Sequence, residues 1–231
     1  MKAMILAAGR GSRMGVLTDS QPKPLLKVAG KPLIERLIEK LVLAGFSELV
    51  INVAWQGQQV RDYLGDGSRW DVHIEWSDEG EMPVGTAAGV RRALPLLGDR
   101  PFLLINSDVV ADIDFAALAQ PPVSQSPTAH LVLVANPDHH PAGDFQLAQG
   151  RLVREGGERL TYAGCGVFNP ALVQNSAEVE LGPLIAEALG REEIITAQRH
   201  AGHWADVGTP ERLQRATRRM LAETEIPPDR E

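Results

Sequence analysis

The sequence predicts an α/β fold in which a mainly parallel sheet, flanked by helices, gives way to a strand-rich second half. Three observations predict it. Short apolar runs alternate with helix-period segments over roughly the first hundred residues, the β-α-β-α order of a parallel sheet covered on both faces. The first apolar run breaks directly into a small-residue, glycine-containing loop, as nucleotide-type Rossmann-like sheets do. Beyond residue 110 the apolar runs shorten and glycines punctuate them, which favours strands joined by turns. A single domain over residues 1–224 follows, with halves at 1–110 and 111–224 and a tail at 225–231.

Ala3-Met4-Ile5-Leu6-Ala7 reads as a buried first strand. Gly30-Lys31-Pro32 opens a helix whose face is Leu33, Ile34, Leu37, Ile38, Leu41 and Val42, ended by Gly45. Leu49 to Val53 is a second strand, Gln56 to Leu64 a short helix and Val72 to Trp76 a third strand. Val84-Gly85-Thr86-Ala87-Ala88-Gly89-Val90 leads into a helix ending near Leu97-Gly98, and Pro101 to Ile105 is a fourth strand closed by Asn106-Ser107-Asp108-Val109. Ala129 to Val134 is a strand, two or three short strands lie between Phe145 and Tyr162, and Ala163 to Phe168 is another buried strand. Leu181 to Leu189 is a helix and Ile194 to Gln198 a strand. Thr209-Pro210 caps and starts the last helix, and Pro227-Pro228 suggests a frayed tail.

A chain of 231 residues with 44% hydrophobic and 23% charged residues can bury a sizeable core. No apolar run approaches the roughly 20 residues of a membrane span. The lone cysteine, Cys165, excludes an internal disulfide and a cysteine zinc site and fits a cytoplasmic location. The net charge of −7 is unevenly spread, because residues 1–31 hold six basic side chains against Asp19 alone. An acidic body argues against nucleic acid as a partner, and a local basic pocket argues for a small anionic ligand.

That pocket centres on Ala8, Gly9, Gly11 and Ser12, where small residues let backbone N–H groups approach an anion, with Arg13 and Lys23 adding fixed positive charge. The combination suits a polyphosphate. It is neither a dinucleotide loop, since Met14 stands where a third glycine is needed, nor a P-loop, since no Gly-Lys-Ser/Thr follows. Asp108 follows an apolar strand at the carboxyl edge of the sheet, where ligands bind. Near a polyphosphate it would hold Mg²⁺, a hard cation that takes oxygen ligands; alone, it equally suits a strand-end turn.

Leu6-Ala7-Ala8-Gly9-x-Gly11-x-Arg13-Met14 followed by Pro22-Lys23-Pro24-Leu25 resembles the signature of the sugar-1-phosphate nucleotidylyltransferases. The resemblance runs from Met1 to about Leu221. It implies a nucleotidyltransferase, GT-A-like fold with a nucleotide-binding first half and a sugar-binding second half. It also implies transfer of a nucleotidyl group from a nucleoside triphosphate, UTP above all, to a sugar 1-phosphate. Arg13, Lys23 and Asp108 are then the catalytic residues. His203-Trp204-Ala205-Asp206-Val207-Gly208-Thr209 matches the family's second metal segment, pairing Asp206 with Asp108. Gly85-Thr86-Ala87 resembles the segment whose backbone meets the base. Asp144 sits where relatives contact the sugar, Gly164 falls in a segment resembling the family's sugar-side strand, and Asn106, beside Asp108, is placed to hydrogen-bond a sugar hydroxyl. Many relatives also carry an E-K-P segment whose lysine holds the acceptor phosphate; residues 151–162 lack it, leaving Arg154 and Arg159 as candidates.

The remaining features read plainly. Cys165, Trp55, Trp70 and Trp76 are core or sheet-edge residues, and His139-His140 lacks a third metal ligand. Two alternatives stand beside uridylyl transfer. One is thymidylyl, guanylyl or uridylyl transfer to glucose or mannose 1-phosphate. The other is a regulatory domain that binds a sugar nucleotide without turning it over, against which Arg13, Lys23, Asp108 and Asp206 together argue.

Overall fold

The computed structural model describes residues 1–120 and 127–225. Residues 226–231 of the predicted tail lie outside them, and Glu225 ends the last helix. Strand β1 (Ala3–Leu6) leads through two 3₁₀ turns, Ser12–Thr18 and Lys23–Leu25, to a small hairpin of β2 (Lys27–Val28) and β3 (Lys31–Pro32). Helix α1 (Leu33–Leu43), β4 (Glu48–Val53), α2 (Gly57–Leu64), β5 (His73–Asp78), α3 (Thr86–Leu97) and β6 (Phe102–Asn106) complete the first half. The second half runs β7 (Val109–Ala111), α4 (Phe115–Leu118), β8 (Ala129–Val134), β9 (Phe145–Ala148), β10 (Arg151–Val153) and β11 (Glu158–Phe168). It closes with α5 (Pro170–Gln174), α6 (Leu181–Gly190), β12 (Ile195–Arg199), β13 (Trp204–Asp206) and α7 (Pro210–Glu225).

Nine strands form one sheet in the order β5-β4-β1-β6-β11-β8-β12-β10-β9. The first four are mutually parallel, as the βαβ pattern predicts. Antiparallel β11 then joins β6 to the strand-rich half. Alternation along each strand sorts side chains between two cores. Ala3, Ile5, Leu49, Ile51, Leu103 and Ile105 face α1 and α2, with Ile34, Leu37, Ile38, Leu41, Val60 and Leu64. Met4, Val50, Phe102 and Leu104 face α3, α5 and α6 on the other side, with Val90, Leu172, Leu184 and Ile185. Among the described residues no helix is long and apolar enough to cross a membrane.

Several local expectations change. Lys31-Pro32 pairs with Lys27-Val28 rather than opening the helix, and Pro32 becomes the N-cap of α1. Ala163–Phe168 is not separate from the short strand before it, because β11 runs through both with an irregularity between Tyr162 and Gly166. That irregularity lets one strand pair with β9, β8 and β6 in turn. Helix α5 went unpredicted although Asn169-Pro170 is an N-cap signal; the Asn169 carboxamide oxygen accepts from the Ala171 N–H at 3.0 Å.

A third, smaller core places the last helix against the first loop. Met14, Leu26, Val28, Leu33, Val110, Val207 and Ala216 pack together, flanked by Leu213 and Met220. Met14 is only 1% exposed. It therefore anchors the glycine-rich loop to α7, and this explains why a bulky apolar residue stands where a dinucleotide loop has glycine.

Two outcomes follow from this packing. Met14→Ala should lower stability by about 2–5 kcal/mol in urea melts and loosen the loop it anchors. Cys165 is fully buried, and burial pushes its thiol up to about 12. The native protein should therefore resist thiol reagents at pH 8 and become reactive only when denatured.

Candidate active site

In a sheet of this order the strand connections diverge between β1 and β6, and the carboxyl ends there open into a crevice. A cavity of about 430 Å³ occupies it, lined by the loop after β1, the start of α3 and the end of β6. Ala8, Gly9, Gly11, Ser12, Arg13, Lys23, Gly85, Thr86, Asn106 and Asp108 all reach its wall, as expected from sequence.

The loop after β1 is shaped by its own contacts. Gly11 sits at φ +67°, and a Cβ there would lie 3.0 Å from the Cβ of Lys23. Glycine thus permits both the left-handed turn and the lysine stem lying against it. Trp55 is a tether that the sequence reading missed. Its indole N–H donates to the Thr18 carbonyl at 3.2 Å, and the Arg10 guanidinium lies 4.6 Å from the ring centroid. Gln56 donates to the Asp19 carbonyl at 2.7 Å, adding a second tie between this loop and the end of β4.

A buried polar chain forms the opposite wall. The Asn52 carboxamide accepts from the Ala7 N–H at 2.8 Å and donates to Glu79 at 2.6 Å. Glu79, 7% exposed, accepts in turn from the Val84 N–H at 3.1 Å. The turn thus held carries Gly85 at φ +100° and ψ 155°, a conformation essentially reserved for glycine. A Cβ on Gly85 would also stand 2.5 Å from the Val179 carbonyl oxygen. That carbonyl accepts from the Ala87 N–H, while the Thr86 hydroxyl donates to Glu180 and accepts from the Leu181 N–H. The α3 N-terminus is therefore capped by a distant segment, with both the backbone N–H and the hydroxyl of Thr86 turned onto Glu180.

Of the two predicted metal ligands, Asp206 ends β13 and Asp108 lies in the turn just before its partner strand β7. In the antiparallel pair of β7 and β13, Asp206 stands opposite Val109, and the Val207 N–H donates to the Asp108 carbonyl at 2.9 Å. Each carboxylate has a cation on it. Lys23 pairs with Asp108, and Arg212 donates to both oxygens of Asp206 at 2.7 and 2.5 Å. His139 lies 3.1 Å from the same carboxylate. Trp204 fixes β13 by donating from its indole N–H to the Ala163 carbonyl at 2.8 Å. Two hard oxygen donors at a place already occupied by positive charge fit Mg²⁺, which takes one or two carboxylates and completes its shell with substrate phosphate and water.

A second cavity, of about 260 Å³, adjoins the first. Arg13, Asn106 and Asp108 line both, so they form a common wall. Asp144, Gly164, Tyr162, Trp204 and Asp206 line the second. The Asp144 carboxylate is oriented by the Tyr162 N–H at 2.8 Å and by His140 at 2.9 Å. Arg154 and Arg159 are not brought here. They line a separate hollow beside α6, and Arg159 is spent on the Ala142 carbonyl at 2.6 Å. The cation facing this second cavity from the loop is Arg13 instead.

Comparison with known proteins sets this geometry in a family. Residues 2–149 match the family described as nucleotidyl transferase. The chain is 48% identical over 224 residues to N-acetylmuramate alpha-1-phosphate uridylyltransferase of Neisseria meningitidis serogroup B, covering 94% of this chain and 96% of that one. It is 31% identical to a mannose-1-phosphate guanyltransferase of Hypocrea jecorina, covering 91% of this chain but 61% of the longer relative. Among solved structures, UDP-glucose pyrophosphorylase from Acinetobacter baumanii superposes with a TM-score of 0.81 at 21% identity, covering 97% and 94% of the two chains. HddC from Yersinia pseudotuberculosis, complexed with GMP-PN, gives 0.78 at 18% identity, covering 95% and 99%. At such identities the structural matches speak for the fold.

Gly85→Ala tests the strained turn. It should cost about 1–3 kcal/mol in stability, read from thermal or denaturant melts, and should raise the KM for the nucleotide more than it lowers kcat.

Proposed function

Because this chain belongs to the nucleotidyl transferase family, we propose that it transfers the uridylyl group of UTP to N-acetylmuramic acid α-1-phosphate and releases pyrophosphate. The observation that carries the reaction type is the common wall of Arg13, Asn106 and Asp108 between two adjoining cavities. One cavity takes the nucleoside triphosphate, the other the sugar phosphate, and the reacting phosphates meet at the wall. The near full-length likeness to the Neisseria uridylyltransferase supports the base and the sugar. A UTP-consuming enzyme with one reduced cysteine belongs in the cytoplasm.

The reaction is an in-line displacement. An oxygen of the sugar phosphate forms a bond to the α-phosphorus of UTP as the bond to the bridging oxygen of pyrophosphate breaks. The nucleophile is already an anion, so no side chain removes a proton. What the residues do is position the partners and neutralise charge. The backbone N–H groups of residues 8–12 cradle the triphosphate. Lys23 leaves Asp108 and moves onto the α-phosphate, while Arg13 stabilises the charge gathering on the leaving pyrophosphate. Asp108 and Asp206 would hold Mg²⁺, which when bound screens the repulsion between the two phosphates. Gly85 and the Thr86 backbone set the base, and Asp144 accepts from sugar hydroxyls.

Pyrophosphate release tests the reading, with UTP, GTP and dTTP crossed against the 1-phosphates of N-acetylmuramic acid, glucose and mannose. Strong release with UTP and the muramic sugar is the expected result. Preference for mannose 1-phosphate and GTP would keep the mechanism and replace the substrates. No release from any pair, in a protein that binds the nucleotides, would leave a regulatory domain.

Within that assay, Arg13→Ala and Lys23→Ala should each lower kcat by roughly 10²–10³, the usual loss for one transition-state charge contact. Asp206→Asn should weaken Mn²⁺ binding read by paramagnetic relaxation, and chelation should abolish turnover of the wild-type protein.

A further inference from the structure

A further cavity, of about 700 Å³, opens beside the cavity proposed for the sugar and shares His139, Trp204 and Asp206 with it. Its wall is unusual in charge. Helix α7 contributes Arg212, Arg215, Ala216 and Arg219, which at spacings of three and four residues form one stripe. Arg199 adds a fourth guanidinium from the end of β12, and the lining acids are Asp138 and Asp206. An excess of fixed positive charge thus lines a hollow in a chain whose net charge is −7. Val134, Ala135, Pro137, Ala201 and the Trp204 ring give the same wall an apolar part.

Three of the four arginines are already engaged. Arg212 holds Asp206, Arg199 donates to Glu158 at 2.8 and 3.0 Å, and Arg219 donates to Glu223 at 2.8 Å. Arg215 has no ion-pair or hydrogen-bond partner among the described residues. A phosphate of the reaction has no need of this cavity, since the cations proposed for it, Arg13 and Lys23, line the other two cavities.

We propose that this basic cavity receives a carboxylate carried by the acceptor sugar, with Arg215 as the group that pairs with it. The inference rests on the muramic-sugar reading above. The lactyl ether of a muramic residue is an acid on a short apolar stem. A sugar ring in the neighbouring cavity can pass such a stem between His139 and Trp204, laying its methyl group on the apolar wall and its carboxylate toward α7. A guanidinium is suited to this role because its planar fork matches a carboxylate. Arg215 is thus a specificity residue and stands apart from the chemistry.

Calorimetric binding of UDP-N-acetylmuramic acid and UDP-N-acetylglucosamine, which differ by the lactyl group, tests this in wild-type protein and in Arg215→Gln and Arg215→Glu. The expected result is that Arg215→Gln weakens the muramic ligand about 10- to 100-fold more than the other, with Arg215→Glu weakening it further. Equal changes for both ligands, or none, would overturn the assignment of Arg215. Wild-type protein that releases pyrophosphate with the muramic sugar but binds the two UDP-sugars alike would overturn the cavity's role and leave the proposed function standing. Failure of that pyrophosphate assay overturns the function itself, and the inference with it.

Discussion

One buried carboxamide holds together the loops at the carboxyl edge of the parallel strands. Asn52 lies at the end of β4 and is 3% exposed, yet it reaches both the exit of β1 and the loop before α3. Its oxygen takes the buried Ala7 N–H. Its nitrogen fixes Glu79, which in turn fixes the Val84 N–H. Buried polar networks are stabilising only when every member is satisfied, because a half-satisfied one leaves the full desolvation cost of the orphan. This chain of contacts therefore acts as a single unit: loops after three parallel strands, far apart in sequence, are either all in register or all displaced.

A second constraint is electrostatic. A site for two phosphate-bearing substrates must be positive when occupied and tolerable when empty. The protein meets both demands by giving each carboxylate proposed to hold the metal its own cation, Lys23 on Asp108 and Arg212 on Asp206. With these pairs formed, neither acid repels the other across the strand pair, and neither base destabilises the loop. In the proposed reaction, substrate entry exchanges partners rather than creating charge. Arg13, with no such acid assigned to it, faces both cavities and supplies the surplus.

Much of this was legible in the sequence, and the limits have physical causes. The parallel half was readable because its strands are continuous apolar runs and α1 and α3 carry clean 3.6-residue stripes. The glycine-rich loop and Asp108 were readable because strand ends in such sheets converge on one edge. What escaped depends on contacts between distant residues. Nothing local marks Asn52 as a bridge to Glu79, Trp55 as a tether for residue 18, or Arg212 as the partner of Asp206. β13 is three residues long and exists only through pairing with β7. β11 was divided in prediction between Tyr162 and Ala163 because nothing local marks the irregularity between Tyr162 and Gly166 as lying within one strand, which pairs with three others.

The contact between Met14 and α7 has a consequence for how the molecule comes into being. Met14 and Ala216 share a core although they lie roughly two hundred residues apart. A chain emerging from the ribosome can pair β1, β4, β5 and β6 early, since those elements follow one another closely. Its glycine-rich loop lacks its anchor until the final helix is made, and Asp206 arrives almost as late. Long-range closure of this kind is entropically slow. By this order of synthesis the parallel half precedes the contacts that anchor its own glycine-rich loop, and completion of the candidate site waits on α7.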